Sequence, residues 1–198
     1  MSWTKKDRQK LLDFKKNYDS DDIRIKEKIK QLLLDNRYII HVLNNKELEE
    51  NDCEPDEYFG INILPYYLVT PTQTNVENFI CFEISYNEAS SFRYNKSHSS
   101  LNSTVKNLNI VFYILCEQKN IIDKETGIAR HDLLAALLQD QFNWTNYFGS
   151  KIMLVSDEPS VVDNNYACRV LTFEQTTDNN IVKTGENGPR LANKDVVY

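Results

Sequence analysis

Hydrophobic positions change their period along this chain, and the changes divide it into helices and strands. Ile25, Ile29, Leu32, Leu33, Ile39, Ile40 and Leu43 recur at helical spacing, so one face of a helix over 21–44 is apolar. Asp19, Ser20 and Asp21 offer caps for its start, and Asp35-Asn36 marks a kink. Upstream, residues 3–18 are charged around Leu11, Leu12 and Phe14, the pattern of a short surface or partner-docking helix that would be marginal alone. Downstream, ELEENDCEPDE over 47–57 carries seven carboxylates in eleven residues and reads as a loop.

From Tyr58 onward the period shortens to two. In VENFICFEISY, Ile80, Phe82, Ile84 and Tyr86 alternate with Cys81, Glu83 and Ser85, which predicts a strand with one face on a core. YFGINILPYYLV reads as strand too, but Pro65 cannot donate to a ladder and confines it to a sheet edge or to two short pieces. NLNIVFYILCE, residues 107–117, is apolar on both faces and must be covered on both. Between these strands, residues 87–104 are polar and Ser-rich, a loop or extended hairpin arm. A helix follows over 128–141 with Leu133, Leu134, Leu137 and Leu138 as its stripe, and KIMLVS and YACRVLTFEQ supply two further strands. The expected fold is α+β: a mainly antiparallel sheet with helices packed on one face and a long β-hairpin arm. It divides into a basic N-terminal helix or extension (1–18), one α+β domain (19–176) and an extended C-terminal tail (177–198).

Composition narrows the function. The net charge of −6 provides no global basic field for nucleic acid or an anionic membrane. There is no apolar N-terminal run and no stretch near ~18 apolar residues, so a soluble, initially cytoplasmic protein is expected, with no membrane partner. Of the four cysteines, Cys81, Cys116 and Cys168 sit in apolar runs and read as core residues; Cys53 lies in the acidic run. No cofactor is expected, since no phosphate-binding glycine loop, nucleophile elbow or zinc-binding helix motif occurs.

Four features could carry chemistry. His131-Asp132 heads the 128–141 helix and superficially resembles the metal-binding pair of phosphohydrolases, yet His41 and His98 are the only other histidines, and an acidic residue in a first helical turn needs only the helix dipole to explain it. The acidic run could bind a hard cation but lacks the register of a calcium loop. Lys5, Lys6, Arg8, Lys10, Lys15 and Lys16 could meet phosphates or an acidic protein neighbour. The aromatic turn FNWTNYFG, with Phe142, Trp144, Tyr147 and Phe148, could stack a base or bury its rings in the core or an oligomer contact.

The order of features resembles the tail-terminator and tail-completion family of tailed bacteriophages, the head-to-tail connector proteins of the virion neck. The matching features run from IKQLLLDNRYIIHVLNN through an acidic link, GINILPYYLV, NFICFEISY, a polar arm and LNIVFYILCE to ARHDLLAALLQDQF, FGSKIMLVSDEP and YACRVLTFEQ, about residues 20–176. The resemblance implies a non-enzymatic structural protein forming a homo-oligomeric ring, roughly six or twelve copies closed by head-to-tail contacts. Its partners would be itself, the adjacent neck, portal or tail proteins, and genomic DNA passing through the channel without sequence-specific binding. On this reading Lys5, Lys6, Arg8, Phe92, Tyr94, Phe142, Trp144, Tyr147 and Phe148 are interface candidates, and the protein resides in the virion after assembly in the host cytoplasm. The basic N-terminal extension and long C-terminal tail depart from the family's smaller members. Two other readings stay open: a small metal-dependent hydrolase using His131 and Asp132, and a nucleic-acid-binding accessory protein using the N-terminal lysines.

Overall fold

A computed structural model describes residues 4–17, 21–67, 77–88, 105–161, 165–178, 181–183 and 189–191. Helix α1 (Lys5–Asn17) stands first, opened by a reciprocal cap in which Thr4 and Asp7 exchange backbone and side-chain hydrogen bonds. The helix expected over 21–44 is two helices, α2 (Asp21–Leu34) and α3 (Arg37–Leu43). The kink is a full break because Asn36 leaves helical geometry and its side chain accepts from the Tyr38 and Ile39 amides, starting a new helix.

The acidic run is also more ordered than a loop. Asn44 ends α3 in the left-handed conformation, φ 50°, and Asn45 caps α4 (Lys46–Glu50) through the Leu48 amide, so Leu48 turns into the core. Pro55–Tyr58 forms a 3-10 turn that buries Tyr58. Asn45 also donates to Asn62, Asn62 to the Asn78 carbonyl, and Asn78 to the Leu43 carbonyl. This asparagine relay ties the helical segment to the sheet and gives the buried Asn62 and Asn78 side-chain amides acceptors, while the buried Asn78 Oδ1 has no partner among the described residues.

Five strands form one sheet in the order β1-β2-β3-β5-β4. β2 (Asn78–Glu88) and β3 (Val105–Glu117) pair antiparallel from Asn78 opposite Cys116 to Glu88 opposite Lys106, as a long hairpin requires. Most of the expected arm, with Phe92, Tyr94 and also His98, lies outside the described residues. β5 (Tyr166–Asp178) pairs with the whole of β3, and β4 (Met153–Val161) forms the far edge. At the other edge, β1 is only Ile63–Leu64, parallel to β2; Pro65 ends it. The segment beyond 176, expected as an extended tail, begins inside β5 and contains a two-stranded ladder of β6 (Ile181–Lys183) and β7 (Pro189–Leu191).

Alternation along the strands decides which face is covered. Ile80, Phe82, Leu108, Ile110, Phe112, Ile114, Leu171 and Phe173 point to one side, where α2, α3 and α5 (Arg130–Phe142) bury them. At the centre the rings of Phe112, Phe142 and Phe173 lie 5.0–6.0 Å apart. The opposite face holds a smaller cluster of Leu64, Phe79, Cys81, Leu115, Tyr166 and Cys168, with Tyr67 against Tyr113 at 4.5 Å. The architecture is therefore α+β with helices on one face of a mostly antiparallel sheet.

Candidate functional site

The opening turn of α5 is a structural joint. Asp132 is gripped by the Arg169 guanidinium, which reaches from β5. The same guanidinium holds Asp157 of β4 through two bonds, Nε to one carboxylate oxygen at 2.6 Å and Nη2 to the other at 3.0 Å, while Gln139 of α5 donates to Asp157 at 2.7 Å. This two-pronged geometry suits guanidinium and carboxylate. Those bonds hold the Asp157 carboxyl below the ordinary aspartate range. His131 Nε2 stands 3.5 Å from Asp132, and its buried Nδ1 has no hydrogen-bond partner. Among the described residues, no group of three or more His, Cys, Asp or Glu is placed to hold a metal ion. Asp132 thus fastens a helix to two strands.

The aromatic turn splits between core and surface. Phe142 is wholly buried, so this interface candidate is a core residue. Phe148 stacks on it at 6.4 Å, and Tyr147 meets it edge-on. Trp144 is different: 63% exposed, with φ at +65°, a conformation that costs a bulky residue energy. Hydrogen bonds from Trp144 N to the Ile152 carbonyl (2.8 Å) and from Ile152 N to the Thr145 carbonyl (2.9 Å) lock the turn there. Lys151 Nζ lies 5.4 Å from its ring centre.

After this turn runs β4, the last strand of the sheet among the described residues. Met153 and Val155 point away from the core and are half exposed, with Leu154 between them turned inward. Together with Ser150, Lys151, Glu174 and Thr176 they line a shallow hollow of about 320 Å³. The ladder is irregular at Val155, between Leu154 and Ser156, and Pro159, paired with Arg169, has no N–H to donate. Both features limit indiscriminate edge pairing. Met153 and Val155 therefore form an apolar patch on the face of β4 and β5 away from the helices, with Trp144 exposed in the turn that leads into β4. KIMLVS reads as a strand in the sequence, but nothing local marks it as an edge.

The basic candidates Lys5, Lys6 and Arg8 all lie on α1 and are exposed, far in sequence from the edge patch. On the helical side, a hollow of about 680 Å³ opens between the end of α2, α3, α4 and the 3-10 turn. Its floor is Leu34, Ile40 and Tyr58, and Asp35, Glu49, Glu54 and Asp56 stand around it. No described helix is long and apolar enough to cross a membrane.

No curated protein matches the chain. Its sequence matches the YomW family over residues 10–175, a span that runs from α1 through the helical layer and all five strands of the main sheet. By that match the chain belongs to the YomW family, a phage-derived family, which points to a phage protein.

Proposed function

We propose that this phage-family protein is a structural component of the virion neck, a protomer of a homo-oligomeric ring that joins head to tail and surrounds the DNA channel. The observation that carries the reading is the outer strand β4 with Met153 and Val155 exposed on its face and Trp144 exposed in the turn before it. An apolar, strained aromatic near a strand that is paired on one side only among the described residues is a surface that a neighbouring chain would cover. The two outer strands differ, two residues at β1 against nine at β4, and in the proposed ring a contact through β4 meets a different surface on its neighbour. Such head-to-tail contacts close into rings.

Charge supports the same role. A net charge of −6 gives phosphates little to hold, and a lumen for passing DNA works by not binding it. The protomer's work in this reading is done by surfaces and not by a catalytic group, with adjacent neck, portal or tail proteins above and below.

Solution mass of the full-length chain and of a Trp144→Ala/Val155→Glu variant tests this reading. Loss of the closed assembly with unchanged circular dichroism is expected. An assembly of wild-type mass in the variant would remove the β4 edge from the interface.

A further inference from the structure

The 680 Å³ hollow on the helical side combines an apolar floor with an acidic rim. Four carboxylates, Asp35, Glu49, Glu54 and Asp56, line it against two basic side chains. Of these two, Arg37 donates to the Tyr38 hydroxyl at 3.0 Å, and His41 faces Glu125 at 3.5 Å. None of the four carboxylates has an ion-pair partner among the described residues.

The chain contains a segment with the complementary pattern. Helix α1 is about 20 Å long at 1.5 Å per residue, and its own Thr4–Asp7 cap starts it without outside help. Lys5, Arg8 and Leu12 fall on one helical face, with Leu11 beside them. Leu11 is 60% and Leu12 48% exposed, and Lys5, Lys6, Arg8 and Lys10 form no ion pair among the described residues. An apolar head with a cationic base has its match in an apolar floor with an anionic rim.

We propose that the hollow receives α1 of a second copy of this chain, Leu11 and Leu12 on Leu34, Ile40 and Tyr58, with Lys5 and Arg8 against the carboxylates. The inference rests on the ring reading above and deepens it by naming one contact between subunits. Donor helix and acceptor hollow are different surfaces of one chain, so each copy both gives and receives, as a head-to-tail ring needs. Charge complementarity fixes the register and speeds the encounter.

The test is a charge exchange in the full chain. One variant carries Lys5→Glu, Lys6→Glu and Arg8→Glu; the other carries Glu49→Lys, Glu54→Lys and Asp56→Lys. All six side chains are exposed, so each variant should keep the wild-type circular dichroism. Each alone is expected to need roughly ten-fold more protein, or greater, to assemble, from lost complementarity. A mixture of the two, in which each acidic helix meets a basic hollow on the other chain, should recover large species. Leu11→Ser/Leu12→Ser, which leaves charge untouched, should weaken assembly as well.

Rescue only when both sets are placed in one chain, and not in the mixture, would mean docking within a chain and overturn the proposal. Variants that assemble like wild type overturn it too, while leaving the ring reading intact. A wild-type chain that stays monomeric alone and with neck proteins overturns both. Intact assembly with lost DNA affinity in the Lys5/Lys6/Arg8 variant would make α1 a phosphate-binding helix instead.

Discussion

Arg169 and Asp157, diagonal neighbours on the paired strands β5 and β4, share two hydrogen bonds of 2.6 and 3.0 Å, and the remaining guanidinium nitrogen crosses to Asp132 at the head of α5. One arginine therefore binds two strands and a helix where the edge strand meets the helical layer. Charge-assisted bonds of this kind are worth more than neutral ones. Arg169→Met is expected to lower stability by about 2 kcal/mol. Urea unfolding measures it.

The same pair sets a pH dependence. The folded Asp157 carboxyl titrates below its unfolded value, so its contribution is fully present above the ordinary aspartate range near ~3.9 and is lost as pH falls through the lower folded value. The stability gap between wild type and Asp157→Asn should stay flat at neutral pH and narrow in acid. A gap that grows on acidification would reverse the assignment.

Arg130 and Asp123 form a more deeply buried pair at 3.1 Å, with side chains 7% and 6% exposed. Arg130 also donates to the Asn120 and Val42 carbonyls, so it fixes the start of α5 against α3. Asp123→Ala strands a buried guanidinium and should cost about 3–5 kcal/mol. Replacing both residues with apolar ones of similar size should cost less than that single change, which a double-mutant cycle would show.

Phe142 and Trp144 lie two residues apart and should respond in opposite ways. Phe142→Ala opens a cavity between Phe112 and Phe173 and is expected to cost about 3–5 kcal/mol. Trp144→Gly relieves a positive φ and loses little burial, so thermal unfolding of the monomer should rise or hold while assembly weakens. Equal destabilisation by both changes would contradict the separation of core from contact surface.

The thiols give an independent check on the sheet. Burial pushes Cys168 up to about 11 and Cys116 higher still, and Cys81 is fully buried. Cys53 is half-buried, and burial raises it as well. Thiolate is therefore scarce at pH 8, and alkylation of the native chain should be slow and confined to Cys53. All four should react in denaturant.

Much of this fold was legible because strict alternation has one meaning. Ile80, Phe82 and Ile84 could sit only on one face, and the two-sided apolar run around Phe112 identified the central strand. The splitting of the first long helix was less visible: apolar spacing continues across Asn36 and Asn44, and only the caps those asparagines make end one helix and start the next. Nothing in the sequence joins Asn45, Asn62 and Asn78, which meet in one relay only in the fold. The Arg169 joint was illegible because its partners stand 12 and 37 residues away with no motif between them. The edge patch was half legible: Trp144 was singled out, whereas Met153 and Val155 matter only because β4 comes last in the sheet.

The most direct measurement is the mass of the full-length protein by light scattering across concentration, alone and mixed with neck components of the same phage. A closed ring, formed alone or only with those components, is the expected result. A strict monomer under every condition would contradict the ring reading.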